Sequence, residues 1–109
     1  MAETLTLVVP VFNEEGALGT FLPELTEYCV AHGFCLIFVD DGSSDNSAAL
    51  LEGFCDGEQV KVLRHKVNRG YGAAIKTGIS ASNTDFVVTL DADGQHRPAD
   101  VDNLLQCAI

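Results

Sequence analysis

Phe34-Cys35-Leu36-Ile37-Phe38-Val39-Asp40-Asp41-Gly42-Ser43-Ser44-Asp45 decides the fold class of this chain. Its first six residues are apolar without alternation, the pattern of a strand covered on both faces. Such a strand is central in a parallel sheet. The abrupt change to Asp40-Asp41-Gly42 marks the strand's carboxyl end. The polar run that continues to Ser47 is a turn cluster that opens a helix, with Ser44 or Asp45 as cap. Neighbouring residues of a strand face opposite ways. One aspartate is therefore free to serve the helix, while Asp41 is expected to address a ligand donor such as a base imide or a ribose hydroxyl.

Outward from this stretch, strands and helices alternate. Leu5 to Pro10 reads as a strand, followed by Asn13 as a cap. A helix then presents Ala17, Leu18, Phe21, Leu22, Leu25 and Tyr28 on one side, with Pro23 expected to kink or interrupt it and Gly33 to end it. Ala48, Leu51 and Phe54 mark a second helix, Val60 to Leu63 a third strand, Tyr71 to Ala81 a third helix and Asp85 to Leu90 a fourth strand. This order implies a parallel α/β sheet with right-handed crossovers and helices on both faces. Ligands of such sheets bind at the carboxyl ends of the strands. Pro98 suits the first turn of a last helix, whose stripe of Val101, Leu104, Leu105 and Ile109 runs on with no Gly or Pro stop. The 109 residues read as one domain, small for an enzyme that holds two substrates, and as part of a longer protein. An uncovered fourth strand would favour a homo-oligomer.

The fourth strand runs into Asp91-Ala92-Asp93-Gly94-Gln95-His96. Alternation puts both aspartates on one side of the strand end, where their mutual repulsion favours a cation. A hard divalent ion such as Mg2+ or Mn2+ takes oxygen ligands and keeps positions open for substrate phosphates, which suggests a metal bridge to a phosphorylated ligand. A solvated acidic turn is the alternative. His96 lies just beyond on the same rim, within reach of a substrate.

Composition sets the limits. A net charge of −10 with only six Lys and Arg argues against nucleic acid or an anionic membrane surface as partner. No segment has the charged start and apolar core of a signal peptide or the roughly 20 apolar residues of a membrane span. Cys29, Cys35, Cys55 and Cys107 form no CxxC pair and read as free structural thiols, in keeping with a reducing, cytoplasmic setting.

The first rim loop, Val9-Pro10-Val11-Phe12-Asn13-Glu14-Glu15, offers an aromatic face, an amide and carboxylates. It is equally readable as a helix start with Phe12 in the core. Asn68-Arg69-Gly70-Tyr71-Gly72 through Gly78 lacks the glycine spacing of a dinucleotide fingerprint and the GK[ST] of a phosphate loop. It reads as a tight turn and closely packed helix, with Arg69 and Lys76 available to a diphosphate. Neither His32 nor His65 has a sequence partner that suggests chemistry. An EF-hand starting at Asp91 fails because His96 stands where that loop needs Gly. A haloacid-dehalogenase-type phosphatase also carries DxD after an apolar strand, though normally on the first strand and with Thr where Gln95 stands, and it stays as a second alternative function.

Taken in order, LVVPVFNEE, VDDGSSDNS, NRGYGAAIKTG and DADGQHRP resemble the nucleotide-sugar-binding half of family 2 inverting glycosyltransferases, in particular the polyprenyl-phosphate, dolichol-phosphate mannosyltransferase-like branch. The resemblance implies the nucleotide-diphospho-sugar transferase (GT-A, Rossmann-like) fold with strand order 3-2-1-4. It places Pro10, Phe12, Glu14, Val39 and Asp41 around the nucleoside, with Phe12 where the family often has Tyr. Asp91, Ala92 and Asp93 would meet ribose, diphosphate and metal, with Asp91 and Asp93 central to catalysis, and Gln95 would join the metal ligands. The implied reaction transfers a sugar from a UDP- or GDP-sugar to a lipid phosphate, at the cytoplasmic face of a membrane in the longer protein. That acceptor is already anionic near neutral pH, its second pKa being about 6, so a strong general base is dispensable. A non-catalytic nucleotide-binding or assembly module is the reading from a different class.

Overall fold

The computed structural model describes residues 5–90. Seven elements alternate along them: β1 (Leu5–Val11), α1 (Glu15–His32), β2 (Cys35–Asp41), α2 (Ser47–Glu52), β3 (Val60–His65), α3 (Tyr71–Ala81) and β4 (Phe86–Thr89). The strands form one parallel sheet in the order β3-β2-β1-β4, as the resemblance implies.

Period-two alternation divides the core into two layers. Leu5, Leu7, Val9 and Val11 of β1, with Leu36 and Phe38 of β2, face α1 and α2, where Leu18, Phe21, Leu22, Leu25 and Leu51 cover them. Val8, Ile37 and Val39 face the other way, onto Ala74 of α3. β2 is therefore packed on both sides, which accounts for its unbroken apolar run. Burying these aliphatic side chains supplies the main drive to fold, about 1.5–3 kcal/mol for each.

Three local expectations change. Pro23 does not interrupt α1, which continues to His32. The ring is exposed, so the lost hydrogen bond lies on the wet side of an 18-residue helix. β2 extends through both aspartates and β3 through His65, two residues past the apolar signal in each, because ladder pairing continues to Asp41↔His65. Asn13 does not cap α1; Glu14 holds that position, and Asn13 sits in the left-handed region at φ 53°. The three described cysteines, Cys29, Cys35 and Cys55, are free, as read from the sequence.

α3 lies close to the sheet because of Gly78. A Cβ there would collide with the Val8 side chain, which is fully buried and has nowhere to move. Gly78→Ala is expected to destabilise by about 1–3 kcal/mol, the scale of core overpacking. Adding Val8→Ala should recover part of that loss relative to Val8→Ala alone, measured by urea denaturation. Among the described thiols, burial, with Cys35 nearby, pushes the Cys29 pKa up to about 12, so it should resist iodoacetamide at pH 8 in the native chain while exposed Cys55 reacts. Peptide mass mapping distinguishes the two, and equal labelling would contradict the burial of Cys29.

Candidate functional site

At the carboxyl ends of β1 and β2 two loops clasp each other. The Asn13 side-chain oxygen accepts hydrogen bonds from the backbone N–H groups of Ser44 (2.8 Å) and Asp45 (3.3 Å). In return the N–H groups of Asn13 and Glu14 donate to the hydroxyls of Ser43 and Ser47 (2.9 Å each), and the Glu15 N–H donates to Asp45 (3.3 Å). The amides of Glu14 and Glu15, at the start of α1, are thus satisfied by another loop, and the Asn13 side-chain oxygen is spent on that loop and not on its own helix. Asp45 also accepts from the Ser47 N–H at 2.9 Å in an Asx turn, but the N-cap of α2 is Asn46, not Ser44 or Asp45 as the sequence suggests. Hydrogen bonds from Ser47, the hydroxyl foremost, and from the Glu15 amide hold the Asp45 carboxyl below the ordinary aspartate range.

The two aspartates that end β2 part company as alternation requires. Asp41, 3% exposed, turns toward α3 and accepts four hydrogen bonds. One oxygen takes His65 Nδ1 (2.7 Å) and the Arg69 N–H (2.9 Å). The other takes the Asn68 side-chain amide (3.0 Å) and the Gly70 N–H (2.8 Å). These fill the roughly four lone-pair sites of a carboxylate. Burial, the largest single influence, pushes the Asp41 pKa up, but these hydrogen bonds and the charge His65 can carry more than offset it, and the net shift is downward. Gly42, at φ +76°, completes the junction, since a Cβ there would strike the backbone of Val67 and Asn68.

Asp40 turns to the α1/α2 face. It is wholly buried, and among the described residues neither carboxylate oxygen has a hydrogen-bond partner. Among the same residues it pairs with Arg64 Nε at 3.5 Å, on a side chain 60% exposed.

The structure brings Pro10 and Val39 side by side as register partners and sets Val11 against Asp40. Val39 is buried under α3, so only its backbone is available to a ligand. Phe12 is 45% exposed at the rim and is not a core residue. Arg69 and Lys76 share an open groove of about 770 Å³ with Leu63, Thr77 and Ser80. Asp91, Ala92, Asp93, Gln95 and His96, the last helix from Pro98 and Cys107 lie outside the described residues. Among the described residues no group of three His, Cys, Asp or Glu could hold a metal, and no helix is long and apolar enough to cross a membrane. The metal assignment therefore rests on Asp91, Asp93 and Gln95, an all-oxygen donor set that suits a hard divalent ion. Sequence reasoning passed over His65. Its signal was a histidine at the end of one strand, in register with an aspartate ending the next.

A parallel sheet ordered 3-2-1-4 with a clasped carboxyl-end rim agrees with the N-terminal part of a GT-A glycosyltransferase fold, an order that it shares with other doubly wound sheets. Residues 6–108 match Glycosyl transferase family 2, and the chain belongs to that family. It is 40% identical over 108 residues to the undecaprenyl-phosphate 4-deoxy-4-formamido-L-arabinose transferase of Proteus mirabilis, covering 95% of this chain and 33% of that protein. The protein of the same name from Pseudomonas aeruginosa is 38% identical over 110 residues, covering 97% and 32%. The chain thus spans about a third of the length of these relatives. In structure it is similar to S. aureus TarS 1-349 in complex with UDP-GlcNAc, with TM-score 0.78 and 20% identity over 95% of this chain and 30% of that one. It is also similar to the mannosyltransferase PcManGT from Pyrobaculum calidifontis in complex with GDP-Man and Mn2+, with TM-score 0.73 and 21% identity over 85% and 28%. The phosphatase reading lapses with the family, and β1 ends in Pro10-Val11 and leads into Phe12-Asn13 with no aspartate to act as nucleophile.

Because the folded Asp41 pKa is lowered, its contribution to stability is present above the unfolded value of about 3.9 and is lost as pH falls toward the lower folded value. Asn at this position offers one acceptor oxygen in place of two. Asp41→Asn should therefore be less stable than wild type at pH 7 by about 1–3 kcal/mol, the cost of an unsatisfied buried group. The gap should shrink as pH falls through that window. Denaturant unfolding at pH 7 and near the acid limit checks this, and a gap independent of pH would contradict it.

Proposed function

We propose that the chain forms the donor-binding part of a metal-dependent inverting glycosyltransferase that moves a sugar from a UDP- or GDP-sugar to a polyprenyl phosphate. The observation that carries this reading is the rim, where the clasped β1 and β2 loops stand on the same sheet edge from which β4 leads toward Asp91-Ala92-Asp93. Likeness along nearly the whole chain to transferases named for undecaprenyl phosphate supports the acceptor class. The nucleotide and Mn2+ in the named structural neighbours support the donor and metal classes. A working place at the cytoplasmic face of a membrane follows from a lipid acceptor and belongs to the same proposal.

In this reading Phe12 offers its exposed ring to the base, and Glu14 and the backbone at Pro10 and Val39 wall the nucleoside. Asp41 shapes that pocket. Asp91, Ala92 and Asp93 meet ribose and diphosphate, and Asp91 and Asp93 are the residues on which catalysis depends. Asp91, Asp93 and Gln95 would hold Mg2+ or Mn2+, which neutralises the diphosphate and stabilises it as a leaving group. Glu14 and the aspartates make the rim anionic, so a diphosphate is poorly received there without a counter-cation. The acceptor phosphate oxygen bonds to the anomeric carbon from the side opposite the diphosphate. The carbon–oxygen bond to the diphosphate breaks with its electron pair, and the configuration inverts.

Titration calorimetry tests this reading. UDP or GDP should bind with Mg2+ or Mn2+ present and bind little after chelation, and equal affinity in chelator would remove the metal bridge. Asp93→Asn should cost more affinity than Glu14→Gln, on the order of 10- to 100-fold, by analogy with disturbed metal shells.

A further inference from the structure

His65 is a buried titratable residue, 7% exposed, to which the proposed reaction gives no task. Both ring nitrogens are engaged, Nδ1 with Asp41 at 2.7 Å and Nε2 with the Thr77 hydroxyl at 2.8 Å. The carboxylate of Asp41 is ionised, since its pKa is lowered. It can only accept, so Nδ1 must carry a proton. In the neutral ring Nε2 is then an acceptor and Thr77 the donor.

These bonds close a ring through the fold. Asp41 at the end of β2 holds the amides of Arg69 and Gly70, which lead into α3. Thr77 stands six residues into α3, about 9 Å along its axis. His65 at the end of β3 returns from Thr77 to Asp41. The residue next to Thr77 is Gly78, where α3 packs tightly on Val8, so the strut meets α3 beside a close contact with the sheet. Asp41 alone ties the loop to β2; His65 ties that junction to the body of the helix. Without the imidazole Asp41 would keep its loop partners but lose its link to α3.

We propose that His65 is a positioning residue for the donor site. Its imidazole, protonated on Nδ1, struts Asp41 against Thr77 and so fixes the Asn68–Gly70 loop beside Gly42 for nucleotide binding. The inference rests on the donor-binding reading above, but the strut has readouts of its own. It also changes the part expected of Asp41, whose acceptor sites are filled by the protein and which acts on a nucleotide through the loop that it holds.

The test uses 15N NMR and calorimetry on the 109-residue chain. In wild type without nucleotide, His65 should show a protonated Nδ1 at neutral pH, and the Arg69 and Gly70 amides should exchange slowly. Thr77→Val keeps the side chain's shape but removes the hydroxyl that pairs with Nε2. It should speed exchange at both amides and weaken binding of UDP or GDP with Mn2+ by about 10- to 100-fold, the range seen when groups orienting a ligand shell are lost. Thr77→Ser, which restores the hydroxyl, should bring both back toward wild type. His65→Phe should show the same two losses; if it fails to fold, the Thr77 pair and the wild-type spectrum decide. A proton on Nε2 with Nδ1 bare overturns the strut, and a Thr77→Val chain that binds nucleotide like wild type overturns its positioning role. If wild type binds neither nucleotide, the donor reading falls while the tautomer and exchange data still decide the strut.

Discussion

An ionised carboxylate withdrawn from water costs several kcal/mol unless protein donors replace its hydration. Asp41 meets that condition with donors from β3, from the segment between β3 and α3, and from the N-terminal edge of α3. The requirement works in both directions. The carboxylate needs those groups, and the Arg69 and Gly70 amides, at a chain reversal with no regular ladder to join, need an acceptor. Removing either side leaves the other unsatisfied, so the end of β2 and the run from His65 to Gly70 are held in one arrangement at the rim. The clasp between Asn13 and the Ser43–Ser47 segment does the same for the β1 side with neutral and charged groups together. The described part of the rim is therefore built mainly of backbone amides and short polar side chains, fixed by bonds within the chain itself.

The pair Asp40 and Asp41 shows how one step along a strand changes the chemistry of a residue. Both are aspartates at the end of β2 and both are buried. Pleating sends Asp41 into a nest of donors and Asp40 to a face where only a largely exposed arginine comes near. An amide or a hydroxyl would be easier to bury at position 40. The aliphatic side chains below it make no use of a charge, and the structure gives no account of why a carboxylate stands there.

Much of this was legible in the chain. The unbroken apolar run of β2 revealed a central strand because burial on both faces leaves no place for polar alternation, and Tyr71 to Ala81 is the helix that its small residues suggested. Four polar motifs at strand ends located the rim and its family. The cross-loop partners were not legible. Asn13 carries the composition of a cap, and only the approach of Ser44, thirty-one residues away, diverts its side chain. His65 looked idle because its partners lie 24 residues before it and 12 after it, on a strand and a helix that local periodicity treats separately. Acidic residues at the end of β4 were the most prominent sequence feature, and they fall outside the described residues.

Pro10 sits within β1, paired with Val39 on the β2 side. On the other side the Leu90 N–H donates to the Val8 carbonyl at 3.1 Å, and in a parallel ladder the next bond would run from residue 10 to the carbonyl of Leu90. Proline has no hydrogen to give. The instruction that ends the β1–β4 ladder is therefore written about eighty residues upstream, in the neighbouring strand. Nothing in Phe86-Val87-Val88-Thr89-Leu90 itself says stop. Grafting this β4 beside a strand with an ordinary residue at that position would offer it one more rung, and the point at which the chain is released toward the acidic pair would no longer be defined by the sheet.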